Sequence, residues 1–577
     1  MPPKKSKSRV SSVSEDKIRA QSGSNAKAAI VSKKPVPNTS KKLVKTVSNN
    51  VSKGASTTST AFSSKKRKPA SENTEESQTL NGSTINHAIT VPERYPSKRL
   101  KTSRTNDVAQ KGAASSKKGQ KTGPKASQPP APSTSLPIIN KVPTQSLTIM
   151  VFGSGDYGEL GLGRKQTEVT RPFLNPFLDP NDASKFHVVQ LDCGGMHTIA
   201  LTDNNEIITW GVNDNGALGR NTKWEGGLQD IDAGSDDESG ELNPFECTPT
   251  EIPGHCFPPN TEFAQVAAGD SCSFALTNTG LVYGWGTFVD NEGNKHFGYD
   301  ANEKLTEVQA TPILIQGLKD IIQIACGANH AIALDKYGNV WAWGAGEQNQ
   351  LGRRLFGRRY MECFKPHRVE VCRNKAKYIA SGLYHSFVVD QKDNVWAWGL
   401  NSYGEAGYAK GAGSDSALLP YPMKIPGLCN KGVVVLDGGA HHSAAVTADG
   451  QFLVWGRLDG GQLGFKFSSD QLEDATLIRR DEYNRPRICL RPTAVPNIGD
   501  ATYVGCGTDH TIFINKEGKA YSAGFGTMGQ LGLGSSDDVD VAKQINGKQV
   551  TGNMLTWTGA GGQFSVIAGP ADTSNRS

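Results

Sequence analysis

Along this chain, short apolar runs alternate with glycine-bearing polar turns, and the alternation itself recurs at long range. The stretch IIQIACGANHAIALDKYGNVWAWG, residues 321–344, displays the unit. Ala331–Leu334 reads as a strand, Lys336–Asn339 as a turn and Val340–Trp343 as the returning strand. Gly338 supplies the positive φ that a tight hairpin needs. Apolar runs bounded by such turns read as strands buried on both faces.

Two signatures repeat around these hairpins. The first sets a glycine after an aromatic or small residue, with a second glycine element about eight residues on. It falls at Gly153, Gly211, Gly286, Gly344, Gly399, Gly456 and Gly524, with spacings of 58, 75, 58, 55, 57 and 68 residues. The second is Gly-x-x-His or a variant followed by an apolar run, at Gly194, Gly269, Gly327, Gly382, Gly439, Gly507 and Gly561. A unit of about 60 residues holds about four strands, which is one blade. The expected fold is therefore all-β, a seven-bladed β-propeller over residues 146–570. The chain meets the first signature before any copy of the second, and it ends on a lone copy of the second. Residues near Thr148–Phe152 and Gln563–Ala568 should complete one blade together and close the ring. A linear solenoid would have no such split repeat.

Charge divides the chain. Residues 1–145 carry 28 Lys+Arg against 7 Asp+Glu, and the remainder 35 against 49, within a total of +7. The first segment is rich in Ser, Thr, Lys, Pro, Ala and Asn, lacks Trp, and has Phe62 as its only Phe. It cannot bury enough apolar surface to offset its ordering entropy, so a disordered basic tail is expected. Residues 571–577 are expected to be a short disordered end. The runs Lys65, Lys66, Arg67, Lys68 and Lys98, Arg99, Leu100, Lys101 read as nuclear import signals or nucleic-acid contacts. Scattered lysines without aromatics favour duplex DNA phosphates over stacked single strands. The start, MPPKKSKSRV, has no apolar segment of signal type, and no run of 18 apolar residues predicts a membrane span.

The ten cysteines include no C-x-x-C pair. Cys193, Cys326 and Cys506 occupy one place in three repeats and read as buried, reduced thiols in a reducing compartment. His197, His330, His385, His442 and His510 also share one place, which argues for a structural hydrogen-bonder rather than a metal site. Trp343, Trp398 and Trp455 read as packing. No nucleophile–base pair survives the repeat explanation, so neither covalent catalysis, a metal nor a cofactor is expected.

The repeats, with WGTFVDNEG, GEQNQLGRR and WGRLDGGQLG, resemble the regulator of chromosome condensation family, the exchange factor for the small GTPase Ran. The resemblance covers about residues 147–570, with a basic tail in front and a Pro-Pro-Lys start. It implies that one propeller face docks on Ran, that a β-wedge pushes toward the phosphate loop and its magnesium, and that GDP or GTP leaves. The matching Ran-facing positions are Asp156, His197, Asp290, Arg353, His441 and His442. The wedge is expected in Ile313, Leu314, Ile315, Gln316, Gly317, Leu318 and Lys319. Asn329 stands where the family often has an acidic residue, and Phe564 where some members have histidine. Asp236, Asp237, Glu238 and Glu241 form an acidic insertion. Arg353, Arg354, Arg358 and Arg359 match a loop that meets the acidic patch of histones. The implied partners are Ran, the nucleosome, duplex DNA and nuclear import receptors, on chromatin in the nucleus, in support of nucleocytoplasmic transport and of spindle and envelope assembly. A propeller adaptor without exchange activity stays open. A ubiquitin ligase of this superfamily would need a further catalytic domain after Ala568. An ultraviolet-B receptor would need clustered tryptophans and no basic arm.

Overall fold

The computed structural model describes residues 136–225, 242–299, 303–414 and 416–572. The basic runs at 65–68 and 98–101, the acidic insertion at 236–241 and residues 573–577 lie outside them. Each predicted apolar run is a strand. Blade 1 sets Val188–Cys193, His197–Thr202, Ile207–Gly211 and Thr250–Glu251 antiparallel, from axis to rim. The inner strands of blades 2 to 6 are Phe263–Ala268, Ile321–Cys326, Ala376–Ser381, Val433–Gly438 and Ala501–Cys506. The second strand of each of these six blades is buried at every position. Such a strand has no solvent face, which is why the sequence shows runs rather than alternation.

Blade 7 joins the two ends. Trp557–Ala560 and Phe564–Pro570 supply its inner half, and Leu147–Ser154 and Glu168–Leu174 its outer half. Leu147 pairs with Pro570 and the register holds through to Gly153 with Phe564. Residues 136–145, expected in the tail, run against blade 2 instead. Ile139 and Asn140 donate backbone N–H bonds to Asn278 O, and Asn140 Nδ2 donates to Thr277 O and Ile321 O.

The repeated histidines lock neighbouring blades. His330 Nε2 lies 2.8 Å from Ser386 Oγ in the next blade. Ser386 donates its proton to Gln350 O, back in blade 3, so the imidazole Nε2–H is the donor to Ser386. Trp398 Nε1 donates to the same carbonyl at 2.7 Å. The pattern recurs as His197–Ser273–Ala217 O with Trp285, and as His385–Ser443–Glu405 O with Trp455. His442–Thr511–Gln462 O and His510–Ser565–Gln530 O repeat it without the tryptophan. Burial keeps all five imidazoles neutral and lowers them, His330, His385 and His442 to about 3 and His197 and His510 to about 4. Gly327 must lack a side chain, because a Cβ there would stand 2.2 Å from His330 Cε1. Five fully buried tryptophans at the blade interfaces each remove roughly 150–250 Å² from water, roughly 4–6 kcal/mol of gross transfer energy. A hydrogen bond nets about 1 kcal/mol, so packing holds the blades together and the lock sets their register.

Two interfaces depart from the rule, and between blades 7 and 1 the buried Phe564 stands in place of the histidine. Between blades 2 and 3, Cys272 replaces the histidine, Ala331 replaces the serine, and Trp343 Nε1 is buried without a partner. Aromatics fill the gap: Phe288 stacks with Phe274, Phe297 and Phe364, and Phe274 meets Trp343 edge-on at 5.5 Å. All ten cysteines are unpaired, and burial pushes the thiols of Cys193, Cys326 and Cys506 far up. Among the described residues no helix is long and apolar enough to cross a membrane, and no His/Cys/Asp/Glu group is placed to hold a metal ion.

Candidate partner-binding face

Strand direction sorts the loops. Each inner strand ends at a Gly-x-x-His loop, and the second strand returns from it. The third strand ends beside that same point, as in the pairing of His197 with Gly211. The Gly-x-x-His loops and the loops after the third strands therefore open on one face, the loop face. The tight hairpin turns and the links between blades open on the opposite, turn face.

Blade 2 builds the loop face differently from its neighbours. After Gly286 it has a second hairpin, Phe288–Val289 paired with Lys295–His296. Asp290 shapes its turn: Oδ1 accepts from Glu292 N and Asn294 N, and Oδ2 from Asn294 Nδ2. Phe288, fully buried, roots the hairpin in the aromatic stack. Blade 3 braces it twice. Asn329 Oδ1 accepts from Val289 N at 2.8 Å, and Gln348 Nε2 donates to Asn291 Oδ1 at 2.9 Å. Only an acceptor is required of Asn329, so the amide serves where a carboxylate could. Gln348 and Asn291 were missed from the sequence. The available signal was the stretch after Gly286, where the Leu-Gly element of the other repeats is absent.

The expected wedge at Ile313–Lys319 is corrected. Gln309–Leu314 is the outer strand of blade 2, with Gln309 beside Gly286 and Leu314 beside Tyr283. It runs away from the loop face, so residues 314–319 form the link to blade 3 on the turn face. Ile315 and Leu318 are buried in the core, and Gln316, Gly317 and Lys319 are exposed there, apart from the other candidates. His197 and His442 are corrected as well. Both are fully buried in the locks described above and offer no surface to a partner.

The remaining candidates share the loop face. Asp156 is exposed in the loop after Ser154. His441 keeps 24% of its side chain exposed, with Nδ1 3.7 Å from Glu405 Oε1 and its ring 4.6 Å from Tyr403. Arg353 is half-buried. Its Nε and Nη2 have no hydrogen-bond partner, and burial lowers its pKa. Glu347 lies nearby in the same loop, raised by burial. Arg354 is exposed, and Gly357–Phe364 forms a 3₁₀ helix in which the side chains of Arg358 and Arg359 are outside the described atoms. Asp270, in the Gly-x-x-His loop of blade 2, is raised by burial to about 6. A central channel of about 400 Å³ runs between the inner strands, with Gln190, Gln265 and Gln323 bridging successive strands.

The glycine-histidine loops, the closed ring of seven blades and the one blade re-shaped into a projecting hairpin together define the class of fold. The chain belongs to the RCC1-like domain family, which it matches over residues 148–567. It is 38% identical over 436 residues to guanine nucleotide exchange factor SRM1 of Saccharomyces cerevisiae, covering 74% of this chain and 88% of that one. The crystal structure of Prp20p from the same yeast, described with its binding properties to Gsp1p and histones, matches with a TM-score of 0.66 and 35% identity, over 76% of this chain and 94% of that one. The structure of Kap60 bound to yeast RCC1 (Prp20) matches with a TM-score of 0.67 and 34% identity, over 79% and 98%. These three are yeast proteins.

Proposed function

We propose that this chain is the guanine-nucleotide exchange factor of a Ran-type GTPase, with the 288–296 hairpin as its wedge. The observation that carries the reading is this hairpin, raised on the loop face, rooted by Phe288 and braced by Asn329 and Gln348. A wedge works only if it holds its shape against the partner, and these bonds give it that stiffness before docking. The likeness to SRM1 supports the activity, and the description of Prp20p with Gsp1p supports the partner.

The mechanism is differential affinity. The loop face binds the nucleotide-free GTPase better than the loaded form, so bound nucleotide leaves and whichever nucleotide is abundant replaces it. Asp156, Arg353 and His441 flank the hairpin as polar contacts. No bond is made or broken. Chromatin anchoring is part of the proposal. Arg354, Arg358 and Arg359 suit histone carboxylates, and the tail suits DNA phosphate. The basic runs at 65–68 and 98–101 suit an import receptor, consistent with Kap60 on the yeast relative.

The test is release of fluorescent GDP from purified Ran under excess GTP. Catalytic amounts of the chain should accelerate release. If stoichiometric amounts leave it at the intrinsic rate, the exchange reading fails and a propeller adaptor remains.

A further inference from the structure

A second hairpin rises on the loop face, in blade 5. Ile478–Arg480 pairs with the start of Pro486–Ala494, adding a fifth strand to that sheet. Arg457, the loop-face end of the third strand, pairs with Ile488, so the turn at 481–485 lies beyond the loop face. Blades 2 and 5 stand three places apart in a ring of seven. The two hairpins therefore flank the channel from opposite sides.

At the base of the blade 5 hairpin the charges are arranged unequally. Arg457 lies 5.6 Å from the Tyr403 ring and is answered by Asp459 at 2.6 Å and Asp509 at 3.6 Å. Arg485 is paired with Asp481 at 2.7 Å. His441 faces Glu405. Arg487 is different. It is exposed and forms no ion pair among the described residues. Its guanidinium sits 4.9 Å from the Tyr403 ring and donates through Nη2 to Tyr403 Oη at 2.5 Å. The tyrosine fixes the plane of the cation, and its other N–H groups have no hydrogen-bond partner among the described residues. An arginine held in this way loses little entropy on meeting a carboxylate.

We propose that Arg487, oriented by Tyr403, is a second docking contact of the exchange face and receives an acidic side chain of the GTPase. The proposal rests on the exchange reading above. A GTPase seated over the channel and wedged by the blade 2 hairpin would be held at its far side by blade 5. The charge pattern selects a single carboxylate. Asp459 and Asp509, partly exposed beside Arg457, would repel a phosphate backbone laid across this face.

The experiment measures kcat and KM for GDP release from the GTPase with the full chain, Arg487→Ala, Arg487→Glu and, as a charge-matched control on the turn face, Lys319→Ala. Arg487→Ala should raise KM about tenfold at low salt with kcat little changed, as for loss of an ordered interfacial ion pair. Arg487→Glu should raise it further, and the gap should close with added salt. Lys319→Ala should leave KM as in the unsubstituted chain. Equal KM for Arg487→Ala and the unsubstituted chain, with both folded by thermal melting and both active, overturns the proposal. So does a fall in kcat at constant KM. Absence of exchange by the unsubstituted chain removes the exchange reading, and this proposal with it.

Discussion

Asn329 illustrates how one side chain shapes the loop face through a neighbouring element. Its Oδ1 takes the Val289 N–H and so fixes the 288–296 hairpin to blade 3. Asn329→Asp keeps an acceptor there and should exchange within about twofold of the unsubstituted chain. Asn329→Ala removes a bond of about 1 kcal/mol, and exchange should slow about fivefold. Rates of GDP release for the two variants check this. Equal rates for both would mean that the brace does not matter. The repeated histidines were legible as structural because repetition excludes a single site. Which of them faced outward was not legible from the family match: His197 and His442 are buried, while His441, one residue away, reaches the surface. A strand buried on both faces carries no alternation from which to read the direction of a side chain.

At the scale of elements, the blade 2 hairpin depends on a local exchange of hydrogen bonds for aromatic packing. Blade 2 gives up the locking loop to form the hairpin, and the phenylalanine stack replaces the lock. Phe288→Ala removes the root of that stack and should cost about 3–5 kcal/mol of stability, read from urea unfolding. A loss below about 1 kcal/mol would contradict the packing described. The blade period, the hairpins and the split closing blade were all readable, because turns and apolar runs are local signals. The face reached by residues 313–319 was not readable, because they are largely apolar and unrepeated, and only pairing with Val282–Gly286 reveals that they run toward the turn face. The blade 5 hairpin gave no signal beyond a spacing of 68 residues.

For the whole molecule, buried titrating groups set the pH range of stability. The five lock histidines have folded pKa values near 3–4, below their unfolded value near 6.5. Their contribution is complete above 6.5 and is lost as pH falls through 6 toward 4. Asp192 and Asp437, raised by burial to about 7, and Asp270, raised to about 6, act in the opposite sense, because the folded state takes up their protons first. Glu159, Glu206, Glu246 and Glu347, also raised by burial, side with the aspartates, so the histidine contribution is read by difference against a His330→Gln variant. The advantage of the unsubstituted chain in urea midpoint should shrink as pH falls from 7.5 to 4.5. A constant gap would contradict a neutral, buried His330. The ring also gives the account its geometry, since closure by Leu147–Ser154 holds all seven loops on one face.

The most direct measurement is stopped-flow GDP release from Ran by a chain in which residues 289–295 are replaced with a short Gly-Ser turn. A folded propeller that still binds the GTPase but has lost most of its acceleration is the expected result. Release as fast as that driven by the unsubstituted chain would contradict the assignment of this hairpin as the wedge.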